Sequence, residues 1–128
     1  MKLIPIAVLA ALAAGCATAS DTRAVPGFDA SAATFTGWLR VSGGEFQLVQ
    51  EQRQLRDPMM RPCVSGALPR GLQETAGDLN GAKVELTGRA VAWSSREGRE
   101  VIVHEGSRIS NQCRSDYVIE AATVKAVG

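Results

Sequence analysis

Aromatic side chains are scarce in this 128-residue sequence, at 5%, and it holds one His and only three Cys. No Cys-x-x-Cys pair occurs, so ligands for a zinc or redox centre are too few. Neither sign of charge dominates: 14 Lys plus Arg stand against 13 Asp plus Glu, a net of +1. A nucleic-acid-binding domain carries a basic footprint, so no nucleic-acid partner is expected. The longest apolar run, residues 3–14, falls short of the roughly 20 residues that cross a bilayer as a helix. Also missing are a Walker A loop, a GxGxxG after a strand, GxSxG and HExxH. Without them no cofactor is implied, and His104 beside Glu105 has no nucleophile motif to serve. Glu97, Glu100 and Glu105 fall near one hairpin, where surface solvation accounts for them, and the chain is read as a non-enzyme. What is present, 45% hydrophobic residues in a short chain, suits one small globular domain.

The amino end is the most readable segment. Met1 and Lys2 give a brief positive start, residues 3–14 an apolar stretch broken only by Pro5, and Ala13-Ala14-Gly15-Cys16 a small-residue close. Residues 1–15 thus read as a secretory leader. Small residues directly before Cys16 resemble the lipobox of bacterial lipoproteins, with Leu12 four residues before the Cys and Ala13 three before it. That resemblance implies removal of residues 1–15, acylation of Cys16 and a membrane partner held through the N-terminal lipid. Ala17 follows the Cys, and by resemblance to lipoproteins of didermic bacteria the lack of Asp there implies the outer membrane, facing the periplasm. The other reading is an ordinary signal peptide cut near Ala17 or Ala19, which leaves a soluble periplasmic protein.

With Cys16 lipidated, Cys63 and Cys113 remain as an even pair in an oxidising compartment, and a structural disulfide is expected. Residues 16–33 are rich in Ala, Ser, Thr and Asp, lack an apolar period, and are expected to be a flexible tether. The folded domain is then 34–128.

Within that domain, Phe35, Gly37, Leu39 and Val41 alternate with Thr34, Thr36, Trp38 and Arg40, a strand with one buried face. Gly43-Gly44 supplies a two-residue hairpin turn into a second strand over 45–51. Residues 52–62 form a surface connection whose Met59-Met60 pair is available to tuck against the sheet. A short strand over 63–68 ends at Pro69, and residues 72–79 allow a brief helix. Asn80-Gly81 turns into a long alternating strand over 83–93, with Gly88 marking a bend or bulge. Residues 94–99 read as a hairpin tip returning to an antiparallel partner over 100–105, and 117–127 as the terminal strand.

This order, with the run Gly81-Ala82-Lys83-Val84-Glu85-Leu86-Thr87-Gly88, resembles an OB-fold, a five-stranded Greek-key barrel with at most one short helix. The competing architecture is another small antiparallel β-sandwich or barrel. OB barrels bind oligonucleotides or oligosaccharides on the face of their second and third strands, with aromatics for stacking. Trp38 and Trp93 fall out of phase with the apolar faces, and Arg40 and Arg89 share those outward phases. These four are the candidate ligand-binding residues, weighed against simple packing of both rings on the barrel surface. The expected function is a lipid-anchored, non-catalytic binding or interaction module of the cell envelope, its partner an envelope protein. The alternative is a soluble periplasmic binder of an oligosaccharide or small ligand.

Overall fold

Alternating side chains become a barrel in the computed structural model, which describes residues 21–128. The leader, Cys16 and the first part of the tether lie outside the described residues. Strands β1 (Thr34–Ser42) and β2 (Glu45–Val49) form the expected hairpin. Ser42 pairs with Glu45 across a turn in which Gly43 and Gly44 both have positive φ, 63° and 88°, as a type I′ turn requires. Next come β3 (Val64–Ala67), helix α1 (Gln73–Asp78), β4 (Lys83–Ala92) and the terminal β7 (Tyr117–Ala126). These strands close in the order β1-β2-β3-β7-β4, and β4 returns to β1. All pairs are antiparallel except β3 with β7. This is an OB-fold-like five-stranded barrel with α1 between the third and fourth strands.

Phe35, Leu39, Phe46, Leu48, Val84, Leu86, Ile119 and Ala121 fill its interior, and α1 adds Ala76 at one end. The long strand β4 serves two partners, β1 along residues 83–87 and β7 along 84–92. It curls between them at a bulge after Thr87, where a Cβ on Gly88 would stand 2.7 Å from the Ala121 Cα.

Two expectations are corrected. Residues 100–105 do not return beside β4, because β1 and β7 already occupy both of its edges. Instead β5 (Ile102–His104) pairs with β6 (Ser107–Ile109) in a small separate hairpin. The described part of the expected tether is also no tether. Phe28 stacks on Phe35 with ring centroids 5.4 Å apart, and Val25 and Ala32 pack on the same core. Arg23 bridges to Ser115, its N–H donating to the Arg114 carbonyl at 3.0 Å. A turn at Asp29 holds this segment's shape: the Ser31 hydroxyl and then its N–H donate to the Asp29 carboxyl and keep it below its usual range. In the 52–62 connection only Met60 tucks in, while Met59 stays 64% exposed.

Candidate functional site

Strands of a barrel with one wet face alternate in burial, and β2 and β3 do not. Every residue of both is buried, polar Glu45, Gln47 and Ser65 included. The cause is the connection from β4 to β7, residues 93–116, which lies over the outside of β2 and β3. At one end β6 packs Ile109 with Trp93 against Ala67 and Val118 on the barrel's outer surface. The Ser107 hydroxyl donates to the Leu68 carbonyl at 2.6 Å, and the Arg70 N–H to the Glu105 carbonyl at 3.0 Å. At the other end the Ser65 hydroxyl accepts the Cys113 N–H at 2.8 Å, and Cys63 and Cys113 are joined in a disulfide with Cα atoms 5.4 Å apart. The disulfide expected from cysteine arithmetic is therefore present. The face on which OB barrels commonly bind oligomers is shut by the chain's own connection.

Glu45 is the polar centre of this closure. Only 3% exposed, its carboxylate accepts the Ser110 N–H at 2.7 Å, the Ser110 hydroxyl at 2.8 Å and the Gln112 N–H at 2.9 Å. Charge-assisted bonds to main-chain amides explain why an acid stands in a buried strand. Glu45→Ala leaves those donors without their acceptor, and we expect a loss of about 2–3 kcal/mol on the scale of hydrogen bonds to charged groups. Chemical denaturation measures the loss, and hydrogen exchange places it: the Ser110 and Gln112 amides should exchange faster than those of β4. Exchange that quickens evenly over the whole barrel would show that Glu45 does not act through the cover.

Residues singled out from the sequence do not converge. Trp38 packs with Leu55 beside Val49, Met60 and the disulfide. Arg40 lies over the same loop, Nη1 meeting the Met60 Sδ at 2.8 Å, and Arg89 pairs with Glu120 at 2.9 Å. Trp93 is 9% exposed, held among Ala67, Ile109 and Val118 and roofed by the Arg96 guanidinium 4.4 Å from its ring. The two Trp belong to different packing clusters and build no common stacking platform. His104 is half-buried, and its Nε2 donates to the Ala121 carbonyl at 2.7 Å next to the β4 bulge, a structural contact. Among the described residues no three His, Cys, Asp or Glu side chains gather as a metal ion would need. None of the described helices is long and apolar enough to cross a membrane.

What the fold does assemble is an open cleft of about 820 Å³ at the outer end of the cover. Of the four candidate residues only Trp93 reaches it. Its charged lining is Arg61, Arg96, Arg99 and Arg114 against Asp21 and Glu100, with Gln112 and Asn111 between them. The Asp21–Arg114 pair is long, 3.8 Å, and both side chains are mostly exposed, so it neutralises little. Arg61 donates from Nη2 to the Gln112 carbonyl at 3.2 Å and Arg96 from Nη1 to the Trp93 carbonyl at 2.9 Å. Among the described residues no carboxylate lies within salt-bridge reach of Arg61, Arg96 or Arg99. The cleft is thus cationic, with guanidinium forks free to take an anion.

These arginines are scattered along the chain and form no motif that marks them as a site. One signal would have found two of them: Arg61 stands two residues before Cys63 and Arg114 one after Cys113, so the expected bridge draws them together. Arg96 and Arg99 were concealed in what reads as a polar hairpin tip. No known protein family matches this chain, and no curated protein does.

Proposed function

We propose that this chain is a lipid-anchored protein of the cell envelope, held at Cys16 in the outer membrane facing the periplasm, whose barrel is a non-catalytic interaction module. The observation that carries the reading is the 93–116 connection, stapled by Cys63 and Cys113 across the usual ligand face. It leaves at its outer end a cationic cleft in which three of four arginines have no carboxylate partner among the described residues, which suits an anionic partner. A disulfide in a domain this small suits an exported compartment, as does the leader over 1–15. The soluble oligosaccharide binder loses its footing, because Trp38 and Trp93 share no surface on which a sugar ring would stack.

Intact mass of the protein from the membrane fraction of an exporting didermic host, before and after reduction and thiol alkylation, tests anchor and bridge together. Expected is a mass raised by acyl chains, with two thiols appearing only on reduction. An unacylated soluble species beginning after Ala17 would remove the anchor, and thiols free before reduction would remove the exported, stapled module.

A further inference from the structure

The position of the cationic cleft relative to the chain's amino end points to what it binds. Asp21 lines the cleft and lies five residues after Cys16. A fully extended chain spans at most about 3.6 Å per residue, so an acylated Cys16 keeps the cleft within about 18 Å of the bilayer surface. We infer that Arg61, Arg96, Arg99 and Arg114 form a site for the phosphate groups of anionic lipid headgroups, which docks this end of the barrel on the membrane that holds the chain. The inference rests on the proposed anchor at Cys16.

Four features of the cleft favour that ligand. Guanidinium groups match phosphate oxygens in bidentate geometry, and three of the four have no carboxylate partner among the described residues. Two are positioned in advance: Arg96 stacks on Trp93 at 4.4 Å, and Arg61 is bonded to the Gln112 carbonyl next to the disulfide. Arg61, Arg99 and Arg114 are exposed and Arg96 half-buried, so a planar array of headgroups can meet several at once. The cleft is open and polar rather than enclosing, which suits a surface of many phosphates better than one trapped anion. Tethering also raises the effective headgroup concentration far above that met by a free domain, so weak contacts suffice. The rest of the chain carries no excess of positive charge, so the cleft arginines set which end of the domain faces the membrane.

The test uses the full protein purified from membranes and reconstituted into vesicles of phosphatidylcholine, with or without phosphatidylglycerol. Arginine modification by phenylglyoxal is then read residue by residue by mass spectrometry. Expected is about fivefold slower modification of Arg61, Arg96, Arg99 and Arg114 in the anionic vesicles, following the attraction of each basic residue to such a surface. Arg53 and Arg56, on the 3-10 turn Gln52–Arg56, should react alike in both. The double variant R99E/R114E, which alters two exposed side chains, should lose the protection at Arg61 and Arg96 while melting like the parent. Equal rates in both vesicles overturn the proposal. Protection by soluble glycerol phosphate in neutral vesicles, with none from phosphatidylglycerol, assigns the cleft to a free phosphate ester and overturns the headgroup reading. Protein that floats with the anionic vesicles alone shows the anchor to be wrong and the cleft to hold, and protein that floats with neither overturns both.

Discussion

Replacing Cys63 and Cys113 together by Ala lowers the stability of the domain by about 4 kcal/mol, the loop-closure value for a bridge across 50 residues. At about 4–8 °C per kcal/mol for a domain near this size, the melting temperature falls by roughly 15–30 °C. The loss should not fall evenly. Both Cys are buried beside Val49 and Met60, and the bridge fastens the start of β3 to the turn 111–114 rather than joining two barrel strands. The barrel keeps its own ladders, so the cover is what loosens. Limited trypsin digestion should therefore cut the double variant at Arg114 and Arg108 well before β1 or β4 is attacked, while the parent resists at both. Far-ultraviolet circular dichroism at low temperature should change little. A melting temperature within a few degrees of the parent would show that the cover is held by Glu45 and Trp93 without the bridge.

How far the sequence revealed this fold depends on which residues had one wet face. The hairpin β1–β2, the long strand β4, the short helix and the terminal strand follow from period-two alternation and from Gly43-Gly44 and Asn80-Gly81, whose local geometry is independent of distant contacts. The cover does not follow in that way. Glu45 and Gln47 look like solvent-facing strand residues until the amides and side chains of Ser110 and Gln112, about 65 positions away, are set over them. Residues 100–105 read as the antiparallel partner of β4 because hairpins usually pair neighbours, and only closure of the barrel shows that β4 has no edge left. Residues 21–33 looked like a tether because a few apolar side chains without a period, Val25, Phe28 and Ala32, leave no pattern, although one stacked ring suffices to dock a segment. The cleft was the least legible part. Its arginines come from three stretches of the chain and share no motif, so their convergence is a product of the disulfide and of Trp93.

Trp93→Ala should cost about 3–4 kcal/mol, near the lower part of the range for truncating a buried aromatic side chain. Trp93 begins the cover, with its N–H donating to the Asp116 carbonyl at 2.8 Å, and its ring fills the gap between Ala67, Ile109 and Val118 outside the barrel. Removing it leaves a cavity at a layer boundary, which the exposed residues that follow it can partly close, and this places the cost below that for a central core ring. The same substitution removes the surface on which Arg96 stacks, so Arg96 loses its fixed place at the cleft. Trp93→Phe keeps an apolar ring and should recover more than half of the stability. Thermal melts of the two variants separate this role from that of a stacking platform for a ligand. A platform residue is replaceable by Ala with little change in melting temperature, whereas a ring that joins two layers is not. Trp38 offers the internal comparison. It is half-buried with Leu55 at the edge of the cluster that holds the disulfide, where the bridge and not the ring fastens the cover, so Trp38→Ala should cost less than Trp93→Ala and leave the Ser110 and Gln112 amides as protected as in the parent.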